Sequence, residues 1–186
     1  MSIRYRTLEG CLNDIDNHNR DCCIRLLREN RDLITKARGS KSKHHAWEGG
    51  YLDHILETMN IATMIYDVFK ETGRDLPFKL EDAYLVLFLH DIEKPWKQIP
   101  GQSRLQSAEG RKNEQAIEQF REEIIVRYGF RLTEEHRNAL KYAEGEKGDY
   151  DPHKNVAGPL AAFVNMCDYW GARGWPNYPK ENTRIP

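Results

Sequence analysis

Apolar residues in this 186-residue chain recur at three- and four-residue intervals along most of its length, and almost nowhere in strict alternation. That periodicity confines it to helices packed on helices. The clearest stretch holds Tyr51, Ile55, Met59, Ala62, Ile65, Tyr66 and Phe69 on one stripe, entered through Gly49–Gly50 and stopped by Gly73. Before it, Leu8, Leu12, Ile15, Cys22, Leu26, Leu27, Leu33 and Ile34 predict one or two amphipathic helices ahead of residue 37, then a polar loop, ARGSKSKHH. Later helices are expected from about 112 to 128, with Ile117, Phe120, Ile124 and Ile125 inward, and from about 155 to 169. Thr133 reads as an N-cap between them, and Gly129 as the stop of the earlier helix. The run Ala83 to Leu89 is apolar nearly all round and must be buried, although periodicity alone does not separate a core helix from a core strand. The fold class is all-α.

The length suits one domain with its own core. Residues 1–40 read as N-terminal helices packing on a core of residues 41–174, and 175–186 as an extended tail. With 28 Lys and Arg against 29 Asp and Glu, the formal charge is −1, so no global electrostatic bias toward nucleic acid or anionic membranes exists. No stretch approaches the roughly 20 apolar residues that span a bilayer, and MSIRYRTLEG lacks the apolar centre of a signal peptide. Cys11, Cys22, Cys23 and Cys167 form no CxxC pair and read as reduced thiols. A cytoplasmic protein is the expectation.

Three places put ionisable residues where packing calls for apolar ones. His54 flanks the 51–69 stripe, His90 and Asp91 end the most apolar run, and Asp168 lies four residues after Val164 and seven after Ala161. Such groups are costly to bury unless paired or bound to a metal. Convergence on one site explains all three departures together. Two imidazoles and two carboxylates make a nitrogen and oxygen donor set that a divalent ion neutralises. It suits one Mn²⁺, Fe²⁺, Co²⁺ or Ni²⁺ ion, with Mg²⁺ and Zn²⁺ also compatible.

Taken in order, HHAWEGGYLDH, LVLFLHDIEKP and NMCDYWGAR resemble the three signature regions of the HD-domain metal-dependent phosphohydrolases, from residue 44 to residue 173. The resemblance implies a single-domain helical bundle around a central metal site, with His54, His90, Asp91 and Asp168 as ligands. It also implies hydrolysis of a phosphate ester or anhydride, most readily of a nucleotide, by metal-activated water. Asp91 and Lys94 are then the catalytic candidates, and Lys94 and His45 the substrate contacts. Two departures stand out: Glu93 replaces the glycine of the family's HDxGK block, read as a tolerated helix position, and Lys94, which matches the lysine of that block, stands where nucleotidase members often have glutamate.

The remaining candidates each carry a plain alternative. His44 and His45 either reach a phosphate or second metal, or are exposed loop residues beside Lys41 and Lys43. His136 is expected to face solvent, His153 to lie in a loop, and Glu144 to be a surface glutamate rather than a ligand. Lys97, Arg104, Arg111 and Lys112 form a basic loop that either covers an anionic substrate or is simply solvated. Trp96 either stacks on a base or packs in the core.

A small phosphorylated partner is favoured over nucleic acid, because no basic surplus or second domain is present. The competing functions are a 3′–5′ exonuclease or phosphodiesterase on single strands, a di-iron oxygenase using His136 and His153, and a non-catalytic nucleotide-sensing module. Spare apolar surface on the helices before residue 37 would be compatible with a homodimer.

Overall fold

In the computed structural model, which describes residues 5–99 and 114–174, the regular structure is helical throughout and no strand forms among the described residues. Three short helices open the chain: α1 (Leu8–Leu12), α2 (Asn17–Glu29) and α3 (Arg31–Lys36). One or two were expected here. The chain breaks at Asn13–Asp16, because the Asp16 side chain caps α2 through the Asn19 amide, and again at Asn30, whose side chain bonds the Leu26 carbonyl. Then come α4 (Gly50–Glu71), α5 (Leu80–Leu89), the single turn α6 (Lys94–Lys97), α7 (Glu114–Tyr128), α8 (Glu134–Tyr142) and α9 (Pro159–Arg173). Gly73 and Gly129 follow α4 and α7 at φ 71° and 73°, the left-handed stops their positions predicted. The last helix starts later than expected because Pro159 occupies its first turn with Gly158 as N-cap.

α4 and α5 form the centre, both packed against α9, while α8 packs on α9 and α5. Every residue from Ala83 to Leu89 is buried, which answers the helix-or-strand question for that run. α4 departs from an amphipathic pattern: Gly50 through Thr63 are buried on all sides. Its polar face is covered by the N-terminal segment and the 37–49 loop. Tyr5 Oη donates to Glu57 Oε2 at 2.8 Å, Arg6 and Asn60 exchange bonds of 2.6 and 3.1 Å, and Trp47 Nε1 donates to Asp53 Oδ2 at 2.7 Å.

α4 and α9 cross closely at Gly171, where an added Cβ would lie 2.9 Å from Thr58 Cγ2. Thr58 is one turn beyond His54 and Gly171 one turn beyond Asp168, so this contact sets the two polar residues against each other.

His136 does not face solvent. It is buried as the third residue of α8, its Nδ1 accepting from the Thr133 amide at 3.1 Å and its Nε2 lying 3.0 Å from Asp82 Oδ1. With Nδ1 accepting, Nε2 carries the hydrogen and donates to the carboxylate. Trp96 packs its ring against Phe120, the core role. The four cysteines are free and buried. No helix among the described residues is long and apolar enough to cross a membrane. The expected 175–186 tail and Arg104, Arg111 and Lys112 lie outside the described residues.

Asp82 joins two helices, since its other oxygen accepts from the Lys79 amide at 2.8 Å at the start of α5. Burial would raise its carboxyl pKa, but the His136 ring and the Lys79 amide together hold it below the ordinary carboxylate value. Its contribution is therefore present above about pH 4 and lost as pH falls through the lower folded value. Asp82→Asn is expected to destabilise the fold at pH 7 by about 1 kcal/mol in urea unfolding, with the gap to wild type closing toward pH 3.

Candidate metal centre

His54 sits in the second turn of α4, His90 caps the C-terminus of α5 with Asp91 in the turn that follows, and Asp168 projects from α9. The bundle brings all four together: one donor atom from each lies within 4.8 Å of the other three. His54 Nε2 is 3.0 Å from Asp168 Oδ1 and 3.3 Å from Asp91 Oδ2, and His90 Nε2 is 3.2 Å from Asp91 Oδ2 and 3.4 Å from Asp168 Oδ1. Yet these contacts lack hydrogen-bond geometry: both nitrogens of His54 and Nε2 of His90 are buried without a hydrogen-bond partner.

Unpaired buried imidazole nitrogens beside carboxylates are rare in a finished core. They are what a metal site requires, because ligands aim at a common point rather than at one another. Donors about 2.1 Å from an ion stand about 3.0 Å apart as octahedral neighbours and about 3.4 Å apart as tetrahedral ones. The four separations span that interval. The residues fit a divalent cation on both geometry and charge.

The groups around the four agree. His90 Nδ1 donates to the Leu87 carbonyl at 2.7 Å, fixing the ring and turning Nε2 toward the carboxylates. Burial would lower the His90 pKa, but Asp91 and Asp168 overcome it and raise it to about 10. Burial also works against the charged form of Asp91, which Lys94, His90 and His54 outweigh, holding the carboxyl well below its usual range. Asp168 is held down in the same way by the two histidines. Lys94 Nζ contacts Asp91 Oδ2 directly. The most accessible groups are Asp168 (19 % exposed) and Lys94 (18 %), so the mouth of the site lies between them, with His54 fully enclosed behind.

His44 and His45 are not exposed loop residues. His45 is buried and His44 half-buried, and their ring centroids stand 5.2 and 5.0 Å from that of His54. Burial, aided by His54 and Lys94, lowers the His44 pKa to about 4 against the pull of Asp91 and Asp168. His153 and Glu144 are exposed, and no described metal cluster includes either residue or His136.

Sequence reasoning missed Glu93 and Arg121. Glu93 is not a tolerated helix position. It is buried in the turn after α5, with Oε1 accepting from Lys97 at 2.8 Å and Oε2 4.0 Å from Arg121 Nη2. Arg121 reaches from α7 to donate to the carbonyls of His90 (2.6 Å) and Leu140 (3.2 Å), bracing the turn that carries Asp91. Its signal was available, since Arg121 interrupts the Ile117, Phe120, Ile124 stripe as His54 interrupts its own.

A cavity of about 320 Å³ opens beside His90, lined by several carboxylates, among them Glu93, Glu118 and Glu144. A larger one of about 760 Å³, between α7, α8 and the start of α9, touches none of the four donors. No family model, curated protein or solved structure matches this chain.

Mn²⁺ at a hundred times its dissociation constant is expected to stabilise the stripped protein by about 2.7 kcal/mol, and Asp168→Ala to abolish that rise in calorimetry. At neutral pH the ligand-free His90 carries a proton that the ion must displace. Apparent affinity should therefore climb as pH rises from 5 to 9, by up to about tenfold per unit.

Proposed function

We propose that this chain is a metal-dependent phosphohydrolase of the HD-domain type, acting on a small phosphorylated substrate, with nucleotides the favoured class. The observation that carries the reading is the set of orphaned imidazole nitrogens in His54 and His90, facing the Asp91 and Asp168 carboxylates in a buried centre. When bound, a divalent ion supplies Lewis acidity toward a phosphoryl oxygen and lowers the pKa of water.

The protein's own groups divide the remaining work. His54, His90, Asp91 and Asp168 hold the ion and make its surroundings neutral. Lys94, next to Asp91 and partly exposed at the mouth, neutralises the anionic phosphate on entry and the charge that builds on its oxygens during displacement. Asp168, the most accessible ligand, orients the attacking water through its carboxylate, and the water's proton passes to the departing oxygen. The acidic lining beside His90 repels phosphate, so the anionic end of the substrate approaches from the Lys94 side.

The formal charge of −1 and the enclosed centre favour a small molecule over a polynucleotide. The oxygen-activating alternative calls on His136 and His153 as ligands. His136 is bonded to Asp82 and Thr133, so that donor set does not assemble.

Metal-stripped protein reloaded separately with Mn²⁺, Co²⁺, Ni²⁺, Fe²⁺ and Mg²⁺ is to be assayed for phosphate release and nucleotide products. The panel holds nucleoside mono- and triphosphates, cyclic nucleotides, and short single-stranded RNA and DNA. Metal-dependent turnover that vanishes in Asp91→Ala and falls about a hundred- to a thousandfold in Lys94→Ala is the expected result. Stoichiometric metal binding with no hydrolysis of any of them contradicts the reading.

A further inference from the structure

His54 belongs to two groups of converging donors. Besides the four-residue centre, a donor atom from each of His44, His45 and His54 lies within 4.8 Å of the other two. The three rings face one another with centroids 5.0 to 5.6 Å apart, and the Nδ1 atoms of His44 and His45 approach to 3.4 Å. Of the two His54 nitrogens, Nε2 is the one set against the carboxylates. Nδ1 is equally buried and equally without a hydrogen-bond partner.

The loop that brings these rings together is built for the purpose. His45 adopts a left-handed backbone, φ 50°, which a residue with a Cβ occupies only when its surroundings enforce it. The enforcement is visible. The Gly39 amide donates to the His45 carbonyl at 2.8 Å, and Ser40 Oγ donates to the His44 carbonyl at 2.6 Å. α4 begins at a glycine because a Cβ on Gly50 would fall 2.1 Å from the His45 carbonyl oxygen. The Trp47 ring lies against His45 while its Nε1 is fastened to Asp53 on α4. Strain, backbone bonds and a forced close approach all serve to hold two imidazoles over a third.

We propose that His44 and His45, sharing His54, hold a second divalent transition-metal ion beside the first. Three imidazole nitrogens without a carboxylate select Ni²⁺, Co²⁺, Zn²⁺ or Cu²⁺ over the oxygen-seeking Mn²⁺ and Mg²⁺. The four-residue centre, half carboxylate, accepts Mn²⁺ as well. The two sites therefore differ in which metals fill them. When both are filled, His54 ligates through both nitrogens and its N–H proton passes to solvent. The second ion places a further positive charge in the neighbourhood of Lys94, toward which an anionic substrate is drawn. This inference rests on the metal centre of the proposed function but not on the reaction it performs.

The test is metal content per chain, by mass spectrometry of the metals, on tag-free protein stripped and then dialysed against excess Ni²⁺ or Mn²⁺. Wild type, His44→Ala and the His44→Ala/His45→Ala double variant are compared, with circular dichroism melting to verify folding. Wild type is expected to hold two tightly bound Ni²⁺ but one Mn²⁺. The double variant is expected to hold one of either metal. Should it fail to fold, His44→Ala alone decides, because His44 is only half-buried, and it should weaken the second Ni²⁺ at least tenfold with Mn²⁺ unchanged. One Ni²⁺ in wild type, or two in the variants with unaltered affinity, overturns the second site. Loss of the single Mn²⁺ site would instead strike at the four-residue centre, and absence of turnover with both ions bound would strike only at the proposed reaction.

Discussion

Two carboxylates buried against two imidazoles are the constraint around which this bundle is organised. Asp91 is buried and Asp168 mostly so, and charges in such surroundings survive only with opposite charge at close range. Lys94 and the histidines provide part of that compensation, and the four donors together could hold a metal ion that supplies the rest. The nitrogens lie among the oxygens at 3.0 to 3.4 Å with no well-formed hydrogen bond between them, an arrangement that could hold a metal ion at a common centre.

The rest of the fold can be understood as what holds such a cluster still. Gly171 lets α9 approach α4 closely enough to bring Asp168 to His54, and Arg121 fixes the backbone of the turn that presents His90 and Asp91. The N-terminal segment hydrogen-bonds to the polar face of α4 through Tyr5 and Arg6, so the part of that helix that carries His54, Gly50 to Thr63, is buried on every side. A site assembled on three helices and braced from a fourth is held more rigidly than one carried on loops. The exception is the His44–His45 loop, and it is pinned by backbone bonds and one strained residue.

Much of this was legible in the sequence, for a definable reason. A charged residue on an apolar stripe must be compensated, so His54, His90, Asp91 and Asp168 stood out without any knowledge of where their helices lie. Arg121 obeys the same rule and was overlooked because arginines on helix surfaces are common. His136 read as exposed because TEEHRNA looks polar all round. Its burial depends on Asp82, 54 residues away, which no local pattern encodes. Glu93 and the His44–His45 loop were opaque for a related reason: their environment is made by chain that lies far off in sequence or, at Gly50, by a close backbone approach that only coordinates reveal. Local periodicity yields elements and anomalies, while the partners of those anomalies come from tertiary packing.

The central claim is that His54, His90, Asp91 and Asp168 ligate one divalent ion, and crystals grown with Mn²⁺ examine it most directly. Diffraction recorded where manganese scatters anomalously should show a peak bonded to His54, His90, Asp91 and Asp168 together, at about 2.0–2.3 Å from each donor. An empty centre at saturating Mn²⁺, with the imidazoles hydrogen-bonded directly to the carboxylates, would contradict it.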